Sequence, residues 1–317
     1  MRFNPKARLD RSRVGDAGRG SGGGGGFGGG QMRLPIPGGT MAGGGIGTII
    51  VIVLFIVLTQ CVGGQGGTLP DDSLNTSRMS GEDSHRYDSC QTGEDANNSA
   101  DCARVAVENS ITDYWAKALP EQANVKFTPE HELTTFTGSI DTGCGPATAD
   151  VGPFYCPQDQ NIYLDTTFFD DVLQGQLNGP AGDFVEPYVL AHEYGHHIQN
   201  LLGTIGQVKT QQGPQSDSVR LELQADCYAG MWTKNATSTD DAGGEPLIVE
   251  LTQDDIQQAI EAAKSVGDDR IQQQSGGGVH PEQWTHGSAD ARVHWFMTGY
   301  QQGTLDACDT FAPATVE

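Results

Sequence analysis

The sequence predicts an α+β fold, a helical core beside a small antiparallel sheet. Three observations carry this. From Glu186 onward, four stretches repeat apolar residues at helical spacing, each with recognisable start and stop signals. Before them, residues 124–165 alternate short apolar runs with turn residues, the pattern of strands. Of seven cysteines, six lie beyond the apolar run that holds Cys61, from Cys90 to Cys308, an even number that reads as a disulfide framework.

Domain organisation is read from where glycine and charge fall. Glycine, 44 of 317 residues, gathers before Gly67 in "GRGSGGGGGFGGG", "GGTMAGGGIG" and "GGQGG". Residues 1–45 therefore read as a disordered, glycine-rich arm. Residues 46–62, "IGTIIVIVLFIVLTQCV", form an uncharged apolar run just long enough to cross a bilayer as one helix. Residues 63–83 are polar and aperiodic, a tether, and 84–317 hold the folded domain. The chain carries a net charge of −23, unevenly distributed. Residues 1–62 hold seven basic against two acidic side chains, and the remainder holds 11 against 39. The basic flank predicts a cytoplasmic N-terminus and an extracytoplasmic domain, anchored in the cell membrane by this single N-terminal helix. So acidic a body excludes nucleic acid as a partner.

Along the chain, the first expected element is "ARVAVENSITDYWAKAL", an amphipathic helix with Val105, Val107, Ile111, Tyr114, Trp115 and Leu119 on its apolar face. "NVKF" and "ELTTFTG" are strands, and "GPFYCPQDQNIYLD" is a hairpin turning at "CPQDQN". "TTFFDDVLQGQL" begins a helix capped by Asp165 or Thr166. The helix containing "VLAHEYGHHIQNLL" starts near Pro187 and closes at Gly203. "DSVRLELQADCYAGMWTK" is capped by Ser216 or Asp217, "TQDDIQQAIEAAKSV" by Thr252, and "SADARVHWFMTGYQQG" by Ser288. Spacing alone leaves the disulfide connectivity open. The expected set takes Cys90–Cys102 and Cys144–Cys156 as short loops, with Cys227–Cys308 tying the last helix back. Disulfides agree with an oxidising compartment.

The chemistry concentrates in "LAHEYGHHIQN". His192 and His196, four apart, share one helical face and can hold a single Zn²⁺. Glu193 beside them is placed to take a proton from a water, so "HEYGH" reads as the HExxH pattern of zinc peptidases. A third ligand on the same run fails, because Gln199 and Leu202 stand where glycine and histidine would be needed. Glu222, 26 residues beyond His196, is the alternative. Asp226, one turn further, can accept the N–H of a ligating imidazole. His197 points about 100° away from the metal face and is expected to pack rather than ligate. His286, in "PEQWTHGSAD", is the first candidate to stabilise a developing oxyanion; Tyr155 and Tyr163 are the other candidates, at the substrate. The "GPFYCP" strand is a candidate edge for an extended peptide.

Nearly the whole chain resembles the bacterial neutral zinc metallopeptidases, membrane-anchored proteins related in motif to the gluzincins. The resemblance rests on the "RFNPKARLDRSRV" opening, "GCGPATADVGPFYCPQDQNIYLD", "LAHEYGHHIQ", "RLELQADCYAG" and "PEQWTHGSADARVHWF". It implies a zincin-like core with two metal-bearing helices, one zinc per chain, Glu222 as third ligand and hydrolysis of a peptide or protein substrate. Three other functions fit the same residues. They are a catalytically inactive, zinc-stabilised surface protein, a zinc amidase acting on cell-wall peptides, and an adhesion module built on the glycine-rich arm.

Overall fold

The computed structural model describes residues 1–20, 85–241, 243–276 and 278–317. The apolar run 46–62, the tether 63–83 and the rest of the arm lie outside the described residues. Among the described residues, no helix is long and apolar enough to cross a membrane.

The architecture is α+β. The helices are α1 (Gly93–Asn98), α2 (Ala100–Ala123), α3 (Val185–Leu202), α4 (Asp217–Asn235), α5 (Gln253–Ser265), α6 (Asp268–Gln274) and α7 (Ala289–Gln302). The strands are β1 (Arg2–Phe3), β2 (Val14–Arg19), β3 (Glu132–Thr137), β4 (Ser139–Thr142), β5 (Gly145–Thr148), β6 (Phe154–Cys156), β7 (Asn161–Asp165) and β8 (Ile248–Glu250). A four-stranded sheet runs in the order β2-β3-β7-β6, with separate two-stranded pairs β1-β8 and β4-β5.

Local chemistry explains most boundaries. Ser99, Ser216, Thr252 and Ser288 each accept a backbone N–H from the first turn of the helix they precede. Gly203 and Gly303 close α3 and α7 in the left-handed conformation, which costs glycine nothing. Asn124 ends α2 the same way and returns its N–H to the Pro120 carbonyl.

Several expectations are corrected. The main sheet is mixed: β2 and β7 both run parallel to β3, and only the β6–β7 hairpin is antiparallel. "NVKF" forms no strand, because Asn124 is spent on the helix stop and the chain then runs irregularly to β3. "TTFFDDVLQGQL" yields a π-helical turn, Phe168–Gln174, entered through Asp165, which accepts the Thr167 N–H and hydroxyl at 2.8 Å each. Residues 1–20 of the supposed arm are ordered, contributing β1 and β2. Their attachment combines ion pairs and backbone pairing with isolated apolar contacts from Phe3 and Val14, which an apolar-periodicity reading does not detect.

The disulfides join Cys90–Cys102, Cys144–Cys156 and Cys227–Cys308. Cys308 lies in a short 3-10 turn after α7, Asp306–Cys308, and not in the helix itself. Pinning it to α4 closes a separation of 81 residues, and so restricts the unfolded chain most.

Close approaches on both sides of α4 set its distance from α3 and from α7. A Cβ on Gly195 of α3 would stand 3.1 Å from Cα of Ala225 on α4. On the other side of α4, a Cβ on Gly230 would meet the Phe296 carbonyl at 2.0 Å, and one on Gly299 of α7 would meet the Cys227 carbonyl at 1.9 Å. The aromatic core closes around these contacts, with Phe184 stacked on Trp232 at 5.8 Å between ring centres. Gly299→Ala must therefore push α7 off α4. The expected cost is about 3 kcal/mol or more, read as a lower thermal midpoint, whereas Gly206→Ala, facing open space, should leave it unchanged.

Candidate metal centre

Helix α3 presents His192, Glu193 and His196, and α4 presents Glu222 and Asp226. Gly195 lies against Ala225, the residue just before Asp226 and within a turn of Glu222, so the two sets of side chains meet at the helix crossing. The His192, His196 and Glu222 ligand atoms all lie within 4.8 Å of one another. His192 Nε2 is 3.2 Å from Glu222 Oε2, and His196 Nε2 is 3.5 Å from Glu222 Oε1. A tetrahedral ion with bonds of about 2.0–2.2 Å places its ligand atoms roughly 3.3–3.6 Å apart. Both imidazole–carboxylate spacings, and the chemistry of the donor set, fit such an ion.

The outer nitrogens are held so that both Nε2 atoms face Glu222. His192 Nδ1 lies 2.9 Å from Asp226 Oδ1, and His196 Nδ1 lies 2.8 Å from Gln199 Oε1. Gln199 cannot turn its amide around, because its Nε2 donates to the Leu221 carbonyl at 2.7 Å and to Gln224 Oε1 at 3.1 Å. Asp226 is completely buried, yet its carboxyl is held down to about 2. Burial alone would raise it; the Arg292 guanidinium and His192 outweigh that. Arg292 grips Asp226 with two nitrogens, Nε to Oδ2 at 2.7 Å and Nη2 to Oδ1 at 3.0 Å. The Tyr188 hydroxyl donates to Oδ1 at 2.5 Å.

The electrostatics favour positive charge between the imidazoles. Burial works against protonation of His192, but Asp226 and Glu222 lift its pKa to about 10. Glu222 is held well below the usual carboxylate range, since His196 and His192 outweigh its burial. Glu193 differs. Burial pushes its carboxyl up to about 7, Glu222 adds to this, and His192 and the Tyr155 N–H oppose it. That N–H, on edge strand β6, donates to Glu193 Oε2 at 3.0 Å and fixes the carboxylate.

A cavity of about 160 Å³ opens over these groups, with His192, Glu193, His196, Glu222 and His286 in its wall. The rest of the wall is largely apolar, including Phe168, Val172, Leu173, Leu177 and Val266. His286 sits on a tightly built loop. Asp268 Oδ2 accepts three consecutive backbone N–H groups, from Thr285, His286 and Gly287, at 2.7–3.0 Å. Its Oδ1 lies 3.5 Å from His286 Nδ1, which also meets the Thr285 hydroxyl at 2.9 Å. Asp268 raises the His286 pKa against the effect of burial.

The remaining sequence candidates separate. His197 packs, as its direction implied, with Nδ1 on the Tyr155 hydroxyl and Nε2 on the Thr128 carbonyl. Tyr155 reaches the cavity wall, but its hydroxyl is engaged by His197 and Asn200 and is turned away from a substrate role. Tyr163 is not brought to the site. It stacks on Phe154 in a separate small cluster and donates to Asp159 at 2.8 Å, because alternation along β7 sends it to the opposite face from Ile162 and Leu164. Arg292, Tyr188, Gln199 and Asp268 were not singled out by their sequence context. Arg292 alone left a usable signal, since it shares the i, i+3, i+4, i+7 stripe of α7 with Trp295, Phe296 and Gly299, where an arginine demands a buried partner.

The sequence profile of the family described as "Putative neutral zinc metallopeptidase" matches residues 3–311. An uncharacterized protein of Mycobacterium tuberculosis (strain H37Rv) is 47% identical over 251 residues, 78% of this chain and 83% of that protein. An uncharacterized protein of Mycobacterium bovis matches equally, and YpfJ of Escherichia coli (strain K12), also uncharacterized, is 40% identical over 205 residues, 63% of this chain and 67% of its own. No solved structure matches.

Removing the support of Asp226 should weaken the centre without touching a ligand. Tyr188→Phe is expected to lower zinc affinity about 10-fold and Arg292→Met up to about 100-fold, measured by competition with a chromogenic chelator. Unchanged affinity in Arg292→Met would show that Asp226 does not depend on it.

Proposed function

The chain belongs to the family of putative neutral zinc metallopeptidases, and from that premise we propose that it is a zinc-dependent peptidase. The observation that carries the reading is the meeting of two imidazole Nε2 atoms and one carboxylate beside Glu193, in the wall of a cavity. Zinc held by His192, His196 and Glu222 would supply a Lewis acid, polarising a carbonyl and acidifying a water.

The chain's own residues do the rest. Glu193, its carboxyl poised at about 7 and aimed by the Tyr155 N–H, takes the proton of the attacking water and passes it to the departing amine. His286, with Nδ1 engaged by the Asp268 loop, is the group suited to meet negative charge growing on the carbonyl oxygen. The apolar wall excludes water and accommodates a hydrophobic side chain of the substrate. Asp226 and Arg292 keep His192 in the tautomer that leaves Nε2 available. In this reading the three disulfides favour an oxidising location for the domain.

Glu193→Gln should keep about one zinc per chain while cutting peptide hydrolysis by roughly 10²–10⁴-fold, measured on a casein digest with metal analysis in parallel. Retained turnover would remove Glu193 from the reaction. His192→Ala and Glu222→Ala should each lose the metal; stoichiometric zinc in Glu222→Ala would mean that another residue is the third ligand. Release of fragments from peptidoglycan but not from casein would favour an amidase instead.

A further inference from the structure

The first 20 residues are built into the domain that carries the candidate centre. β2 pairs with β3 from Val14↔Leu133 onward, and β3 leads through β7 to β6, the strand that holds Glu193. β1 pairs with β8, with Arg2 opposite Glu250. Side chains seal the contact. Asp10 and Asn109 exchange hydrogen bonds at 2.7 and 2.8 Å, and Asn97 brackets Phe3 the same way at 2.9 and 3.0 Å. Asp16, with only 2% of its side chain exposed, pairs with Arg86 at 3.0 Å and accepts the Thr135 hydroxyl at 2.9 Å.

A further tie is Arg13. Its Nε donates to Glu108 Oε1 at 3.0 Å and stands 3.9 Å from Glu130 Oε1, and the two glutamate side chains are 2% and 0% exposed. Thr112 bridges Glu108, at 2.9 Å, to the Tyr194 hydroxyl, at 3.0 Å, inside "HEYGH". Without residues 1–20, Glu108, buried behind the motif helix, would lose its guanidinium partner. Burial and the charge of Glu108 already press the Glu130 pKa well upward. Leaving Glu108 charged and uncompensated beside it is strongly unfavourable.

We infer that residues 1–20 are a permanent structural part of this domain, held by strand pairing and by Arg13 on Glu108, and therefore lie on the same side of a membrane as the candidate metal centre. Segments joined by strand pairing and buried ion pairs cannot be divided by a single membrane crossing. The arrangement of a cytoplasmic N-terminus with an extracytoplasmic domain, expected from flanking charge, is replaced by one in which both share a face.

Two measurements on the full chain test this. In a Cys61→Ser background, Lys6→Cys and Val279→Cys place single thiols at exposed positions on the N-terminal segment and on the domain. Membrane-impermeant maleimide should label both in the same preparation, right-side-out or inverted vesicles; labelling in opposite preparations overturns the inference. The second measurement is the thermal midpoint. Arg13→Met should lower it by roughly 6–15 °C, and Arg13→Met combined with Glu108→Gln should recover at least half of the loss. A midpoint unchanged in Arg13→Met, or a double variant no better than the single one, overturns the lock.

Discussion

Everything at the candidate centre leans on one buried ion pair. Asp226 is sealed from water, and a lone carboxylate there would take up a proton. Arg292 prevents this by engaging both oxygens. The charge thus preserved orients His192, since Nδ1 faces a fixed acceptor and Nε2 faces Glu222. The pair is not a gain in stability for its own sake, because two desolvated ions often cost as much as they return. Its effect is directional: it converts a rotatable ring into a donor aimed at one point. Gln199 does the corresponding service for His196 with a neutral amide, itself tethered to α4 at two places.

The same economy of space governs the helices. Glycine is a poor helix former, yet Gly195, Gly230 and Gly299 lie within α3, α4 and α7. The propensity lost at each is offset by closer approach of neighbouring backbones. Glu222 and His192 come from helices whose separation is set by the absence of a methyl group at Gly195. Because α4 is squeezed between α3 and α7, Asp226 meets His192 on one side and Arg292 on the other. Metal-facing geometry and core packing are therefore a single constraint.

Charge is used in two distinct ways across the molecule. On the surface, the large acidic excess is solvated and carries no message about substrate. In the interior, charged groups pair with partners distant in sequence: Arg13 with Glu108, Arg86 with Asp16, Arg104 with Glu186, Arg292 with Asp226. Two of those partnerships stitch the first 20 residues to the remainder. A segment that composition groups with a glycine-rich arm is thereby held by polar contacts together with a few apolar side chains, Phe3 and Val14, that it places in the core.

Short-range physics was open to inspection in the sequence. Helix starts at Ser216, Thr252 and Ser288, the stop at Gly203, the β6–β7 hairpin and the four-residue interval of His192 and His196 all depend on neighbours within a turn or two. The Glu222–Asp226 interval belongs to the same class. Other features were settled only by the folded chain. Parallel strand direction, the capture of the Tyr155 hydroxyl and the docking of residues 1–20 each depend on a partner many residues away. Asp226 and Arg292 stand 66 residues apart, and neither implies the other until α4 and α7 are packed. Periodicity encodes which face of an element is buried; which charge waits on the other side is decided by how the elements cross.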